Sequence, residues 1–309
     1  MPRPLFCKEK KIAYFCGMNI LVTGANGQLG TALRAASRGS GDRWIFTDIS
    51  QLRDIETVSL DITDPEAVRI VCQSERVDLI LNCAAYTDVE QAEEDHYGAD
   101  LLNRQAPGFL AAAAVACGAK LIHISTDYVF RGDRPVPYAE EASPDPTGVY
   151  GITKLEGERA ILESGCPAMI FRTAWLFSPW GKNFVSKMLK QLTVRPSVRV
   201  VYDEVGSPTY APDLAELLCR IVAERRFEAG VYHYVGAGAV SRYDFARAIR
   251  DLAGIETCDV QPCRSAEYPT KARRPAYSVL DTAKVRRVFG GDIPYWRDSL
   301  RRCLSELLQ

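Results

Sequence analysis

Near its start the chain runs Asn19-Ile20-Leu21-Val22-Thr23 and continues, without a break, into Gly24-Ala25-Asn26-Gly27-Gln28-Leu29-Gly30. A short apolar run, three glycines at this spacing and a helical pattern behind them leave few folds open. The glycines allow a tight turn, close approach of backbone to a diphosphate, and close packing of helix on strand, while the helix N-terminus favours negative charge. Glycine-rich turns occur wherever a strand meets a helix, so the loop alone is weak evidence. Here strand, helix and position at the start of a sheet agree. The segment reads as a dinucleotide cradle with Gly24, Asn26, Gly27, Gln28, Leu29 and Gly30 as cofactor contacts.

Further apolar runs follow at Trp44–Thr47, Leu79–Asn82, Leu121–Ser125 and Ala168–Arg172. Such runs suit strands buried on both faces of a parallel sheet, and the segments between them, such as Ala106–Cys117, carry helical periodicity. The reading is α/β: a Rossmann-type doubly wound parallel sheet over residues 18–175. Residues 176–309 are expected to be mainly a smaller C-terminal α/β substrate lobe, with some segments returning to the first domain. Helices are expected there around Asn183–Gln191, Pro212–Glu224, Ser241–Ala253 and Tyr295–Leu308, with a short strand at Gly230–Val235. Residues 1–17 are basic and aromatic and precede a second methionine. They lack the long apolar stretch and cleavage site of a signal peptide, so they are expected to be a disordered extension.

The 38 basic and 39 acidic residues nearly cancel, so no global field draws nucleic acid or an anionic membrane, and an anionic ligand must be held locally. No apolar run approaches the ~20 residues a membrane helix requires. Ten cysteines lie scattered with no CxxC pair, which fits reduced thiols in the cytoplasm and names no metal ligand.

At the end of the second strand, Asp48 lies where an acidic side chain accepts from the adenosine ribose hydroxyls; the alternative is a loop aspartate capping a turn. An acid there favours NADH, whereas Arg34 or Arg53 nearby would accommodate NADPH, and the choice between the two stays open. Asp61 and Ile62 could meet the adenine, and Ala84, Ala85 and Tyr86 the diphosphate and nicotinamide riboside. Tyr150 and Lys154 stand four apart at the start of a helical segment and so share a face. A nearby ammonium lowers a phenol's pKa, and Lys154 could also hold the nicotinamide ribose. Ser125-Thr126 closes the preceding strand, at the end where ligands sit in an open parallel sheet. Thr126, Tyr150 and Lys154 with the glycine loop make a carbonyl reduction site. Hydride reaches the carbonyl carbon, Tyr150 protonates the developing alkoxide, and Thr126 donates to the same oxygen.

From Met18 nearly to its C-terminus the chain resembles the extended short-chain dehydrogenases, and within them the dTDP-4-dehydrorhamnose reductases. The resemblance rests on MNILVTGANGQLG at 18–30, NCAAYTDVE at 82–90, STDYVF at 125–130, VYGITKLEGE at 149–158, RTAWLF at 172–177, DEVGSPT at 203–209 and EYPTKARRPAYSVLD at 267–281. It implies a catalytic set at Thr126, Tyr150 and Lys154, and a sugar pocket lined by Thr87, Val89, Asp127, Tyr128 and Trp175. Val89 and Tyr128 could equally be core, Thr87 and Asp127 caps, and Trp175 packing between lobes. Arg273 and Arg274 could meet the substrate diphosphate or form a salt-bridged surface loop. Two positions depart from the family pattern: Glu204, where glutamine is usual, and Gly148, where a larger residue is common. The implied reaction is NAD(P)H-dependent reduction of dTDP-4-dehydro-L-rhamnose to dTDP-L-rhamnose. The alternatives are reduction of another nucleotide 4-keto-deoxysugar, or a non-catalytic cofactor-binding regulatory subunit. Some relatives assemble through magnesium-bridged carboxylates, so a homodimer and a Mg2+ ion enter as expectations without assigned residues.

Overall fold

The computed structural model describes residues 17–309; the extension expected over 1–17 lies outside them except for Gly17. In chain order the first half holds β1 (Asn19–Thr23), α1 (Gln28–Ala36), β2 (Arg43–Asp48), β3 (Val58–Ser59), α2 (Pro65–Ser74), β4 (Leu79–Asn82), α3 (Val89–Ala92), α4 (His96–Asp100), a π-helical turn (Leu101–Gln105), α5 (Ala106–Cys117), β5 (Lys120–Thr126), α6 (Val149–Glu163) and β6 (Ala168–Thr173). The second half holds β7 (Leu176–Phe177), α7 (Phe184–Val194), β8 (Ser197–Val201), β9 (Val205–Gly206), β10 (Thr209–Tyr210), α8 (Ala211–Ala223), β11 (Gly230–His233), β12 (Val240–Ser241), α9 (Arg242–Leu252), β13 (Asp259–Cys263), α10 (Ala283–Phe289) and α11 (Trp296–Leu307).

Seven parallel strands form the central sheet in the order β11-β6-β5-β4-β1-β2-β3. Because side chains alternate along a strand, Ile20 and Val22 face α1 and α8, whereas Leu21 faces α2 and α5. Both faces are therefore covered, which is why the strands read as continuous apolar runs. Local chemistry sets the helix ends. The Asp64 carboxylate accepts from the amides of Glu66 and Ala67 to start α2, and Gly118, at φ 71°, ends α5.

The run Gly230–Val235, expected in the lobe, is instead β11 at the edge of the large sheet, with Gly230 opposite Met169 and His233 opposite Arg172. A strand of four residues carries no mark of its partner; the open edge of β6 supplies it. Helix α8 likewise packs its Leu214 and Leu218 on the α1 face of the sheet. The lobe proper gathers α7, α9 and α11 around Phe245, Leu192 and Leu300, beside a parallel β8–β13 pair that the sequence reading did not mark.

Candidate active site

The carboxyl ends of the central strands open onto a cavity of about 850 Å³. Gly24, Gly27, Gln28 and Leu29 line it from the glycine loop, Asp48 from the end of β2, and Asp61 and Ile62 from the segment before α2. Ala84, Ala85, Tyr86, Thr87 and Val89 continue the wall beyond β4. Thr126, Asp127 and Tyr128 follow β5, Tyr150 and Lys154 come from α6, and Trp175 follows β6.

Three named residues do not reach the lining. Asn26 is tied to the β2–β3 connection, its amide donating to Ser50 O at 2.8 Å and its Oδ1 accepting from Thr57. Gly30 packs helix on loop. Arg273 is exposed, while its neighbour Arg274 turns inward and donates to Glu90 Oε1 at 2.8 Å. The arginines weighed for a 2′-phosphate are engaged elsewhere. Arg34 donates to Glu56 O and Thr57 Oγ1 and lies over the Phe46 ring at 4.2 Å, and Arg53 pairs with Asp54 at the surface. Asp48 does cap its turn, accepting from Ser50, and it also accepts from the Asn26 amide.

The glycine loop is held at close quarters. Gly24 has φ 66°, and a Cβ there would sit 2.6 Å from the Ala84 nitrogen, so only glycine lets β1 and β4 splay into a cavity floor here. Helix α1 begins at Gln28, with Gly27 at its N-cap and no side-chain cap, leaving the first amides of the helix to face the cavity.

Helix α6 brings Tyr150 to the β5 terminus. A Cβ on Gly151 would lie 2.3 Å from Tyr128 O, so the helix touches the turn after Thr126 backbone to backbone. Gly148 gives α6 no side-chain cap, and Glu93 Oε1 accepts from the Val149 amide at 2.8 Å in its place. The Tyr150 ring meets Tyr128 edge-on at 5.4 Å.

The expectation that Lys154 lowers the Tyr150 pKa is corrected. Lys154 is 1 % exposed; its Nζ donates to Ile124 O at 2.6 Å and stands 3.3 Å from His123 Nε2, with no hydrogen bond to the phenol. Burial pushes the Tyr150 phenol up, opposed by the Thr126 hydroxyl, and pushes the Lys154 amine down to about 8, opposed by Glu158. Tyr150 is therefore a half-buried neutral phenol near neutral pH, suited to giving a proton. Thr126 Oγ1 accepts from the Tyr128 amide and donates to Asp127 Oδ1 at 3.1 Å. Burial raises the Asp127 carboxyl to about 6, opposed by the Ser278 and Thr126 hydroxyls, and its Oδ2 has no partner.

Sequence reading missed two positions of the candidate site. Arg242, first residue of α9, lines the cavity with its guanidinium carbon 3.4 Å above the Trp175 ring; its buried Nε lies 3.9 Å from Glu204 Oε2, an ion pair too long for a hydrogen bond. Burial lowers the guanidinium to about 10. Trp175 itself adopts φ 48°, a left-handed conformation that costs energy in a non-glycine residue. Nothing near Ser241-Arg242 in the sequence sets it apart from an ordinary helix start. Asn103, on the π-helical turn, exchanges hydrogen bonds with both backbone groups of Tyr86 and so aims the 84–86 wall; a buried Asn inside a helical run was the available signal. A second cleft of about 410 Å³, between α8 and the α10–α11 connection, shares no residue with the first. Among the described residues no three His, Cys, Asp or Glu gather as metal ligands.

A family model described as the RmlD substrate binding domain matches residues 18–309. The dTDP-4-dehydrorhamnose reductase of Burkholderia thailandensis is 36% identical over 94% of this chain and 99% of its own. Among solved structures, a dTDP-4-dehydrorhamnose reductase from Clostridium acetobutylicum superposes with a TM-score of 0.88 at 38% identity, covering 94% of this chain and 100% of that one. The Bacillus anthracis counterpart, solved in complex with NADP, gives 0.86 at 35% identity over 94% and 99%.

Proposed function

The chain belongs to the dTDP-4-dehydrorhamnose reductase family, and from that membership we propose that it reduces the C4 keto group of dTDP-4-dehydro-L-rhamnose with NADPH or NADH. The product, dTDP-L-rhamnose, serves cell-surface polysaccharide. The observation that carries the reading is the convergence of the Tyr150 phenol and the Thr126 hydroxyl on the cavity that the uncapped N-terminus of α1 also faces.

The nicotinamide cofactor, when bound, supplies the hydride. The amides of Gln28 and Leu29 suit its diphosphate, because no side chain of the protein caps them, whereas the Gly27 amide donates to Gly24 O at 3.1 Å and closes the turn. Asp48 suits the adenosine ribose, Asp61 and Ile62 the adenine, and Ala84–Tyr86 with Lys154 the nicotinamide riboside. Asp48 favours NADH, whereas the Bacillus anthracis relative was solved with NADP, so both forms belong in the assay. Tyr150 delivers its proton to the sugar oxygen while the Thr126 hydroxyl turns from Asp127 Oδ1, to which it donates in the free protein, and donates to the same atom; Thr87, Val89, Asp127, Tyr128 and Trp175 hold the sugar ring. The eight cysteines described are all unpaired, which supports a cytoplasmic site of action. A homodimer completes the reading, with sedimentation of the full chain as its check.

The test is loss of NADPH or NADH absorbance on adding dTDP-4-dehydrorhamnose, with dTDP-rhamnose identified as product. Tyr150→Phe should lower kcat by about 10²–10⁴ and leave cofactor affinity within about twofold. A wild-type protein that binds cofactor yet oxidises none with this substrate would remove the substrate assignment; a Phe variant at a tenth of wild-type rate would remove Tyr150 from its role.

A further inference from the structure

Behind the cavity wall a chain of buried polar side chains crosses three strands: Thr23 on β1, Asn82 on β4, His123 on β5 and Lys154 on α6. All four are at most 1 % exposed. The directions of its hydrogen bonds can be worked out from one fixed proton. The Ala84 amide donates to Asn82 Oδ1 at 3.1 Å, and the Thr23 hydroxyl donates to the same oxygen at 2.6 Å. A backbone N–H cannot reverse its role, so the oxygen of the Asn82 amide faces Ala84 and its nitrogen faces His123. The Asn82 amide nitrogen stands 3.0 Å from His123 Nδ1, which must therefore be the unprotonated, accepting nitrogen.

His123 is neutral: burial, and Lys154 beside it, hold its pKa well below the usual range. A neutral imidazole with a free Nδ1 carries its proton on Nε2, and that N–H points at Lys154 Nζ, 3.3 Å away. An ammonium has three donors and no lone pair, so it can only repel this N–H. A neutral amine satisfies both neighbours, accepting from His123 and donating to Ile124 O at 2.6 Å. The other titratable groups around Nζ do not reverse the balance. Cys83, past β4, is kept a neutral thiol by burial. Glu158, one turn along α6, is bound by Arg172 of β6 at 2.6 Å and accepts from Ser125, so its charge is already matched. Tyr150, one turn before, is a neutral phenol in the same pH range.

We propose that His123 is a positioning residue: by donating its Nε2–H to the Lys154 lone pair it stabilises the neutral amine and sets the pH at which Lys154 takes up its charge. The proposal rests on the reading of Lys154 as a residue of the reductase site, and gives that site a proton-accepting group that titrates nearer neutrality than a free lysine. Its consequence for turnover is an alkaline limb in the pH profile governed by Lys154 rather than by Tyr150.

Two variants separate the interaction from mere burial. His123→Asn keeps an acceptor near the Nδ1 position for Asn82 and loses the contact with Lys154. His123→Gln reaches Lys154 with an N–H in the Nε2 position. With lysine labelled at Cε, the Lys154 resonance, assigned by its absence in Lys154→Arg, is followed through pH by NMR on the full chain. The wild-type midpoint should lie at least one pH unit below the ~10.4 of a free lysine. His123→Asn should raise it by at least one unit, and His123→Gln should keep it within half a unit of wild type. The alkaline limb of kcat should move with it. Equal midpoints in wild type and His123→Asn would overturn the proposal, as would equal shifts in both variants. Imidazole 15N shifts of the unmutated protein give an independent check that needs no variant to fold: Nε2-protonated His123 is expected, and the Nδ1-protonated tautomer would refute the proposal. The two NMR readouts do not depend on turnover, so failure of the substrate assignment would leave them intact.

Discussion

Arg242 shows what a single side chain does at this site. Its guanidinium covers one face of Trp175, whose ring also lies so close to Gly206 that a Cβ there would come within 2.6 Å of it. The ring is thus held on two sides, on a backbone already in a costly conformation. A cation stacked on an indole contributes about 0.5–2 kcal/mol. Arg242→Met should therefore raise KM for the keto-sugar nucleotide roughly 3- to 30-fold while leaving the Kd for NADPH within twofold, read from steady-state kinetics and fluorescence titration. An unchanged KM would mean that Trp175 needs no such support. Lys154 carries a pH signature in stability. Its folded pKa, about 8, lies below the unfolded value of ~10.4, so burying the ammonium costs stability below pH 8, and that cost fades as pH rises toward 10. Lys154→Met should be more stable than wild type at pH 7 by an amount on the order of 1–3 kcal/mol, with the difference shrinking by pH 10 in urea titrations. A gain that is constant with pH would contradict the assignment.

At the scale of elements, the site depends on how α6 is seated. The helix enters under Glu93 from the end of α3, touches Tyr128 O at Gly151, and turns Tyr150 toward Thr126 and Lys154 toward His123. Gly151→Val has no room at 2.3 Å from a carbonyl oxygen and must push the helix outward. The expected result is a loss of at least 10²-fold in kcat, since misplacement of about 1 Å costs that much, with a smaller loss of NADPH affinity, because the glycine loop is untouched and only the contact of Lys154 with the riboside moves. Full activity in this variant would show that α6 need not approach so closely. The spacing of Tyr150 and Lys154 was legible because a helix has a fixed pitch, and the glycine loop because a strand–glycine–helix junction has few uses. The direction of the Tyr150 shift was not legible: spacing puts Lys154 on the same face but says nothing of His123 and Ile124, which draw its amine away.

The whole molecule is interlocked across the boundary at Trp175. Strand β11 closes the sheet against β6, α8 covers α1, and Arg225 beyond α8 pairs with Asp42 at 2.6 Å ahead of β2. Ser178 donates to Gln28 Oε1 at 2.9 Å, tying the start of the lobe to the glycine loop itself. A fragment ending at residue 175 would expose Met169 and Phe171 on β6 and the α8-facing side of Leu33. It should show no cooperative urea transition and bind no NADPH, whereas residues 17–309 should unfold with both. A fragment that folded and bound cofactor would show that the second half adds only the substrate lobe.

Patterns that repeat along the chain could be taken from the sequence itself: apolar runs of strand length, helical periodicity, the glycine loop, and the hydroxyl and phenol at Thr126 and Tyr150. They are local, because backbone geometry turns a spacing of two or four residues directly into a shared face. Partnerships between distant segments were decided only by tertiary structure. The place of β11 in the sheet, the inward turn of Arg274 in place of Arg273, the stacking of Arg242 on Trp175 and the orientation of Asn82 and His123 all depend on which groups burial leaves without water. A buried donor or acceptor must find its partner in whatever element lies beside it, and no local spacing names that element.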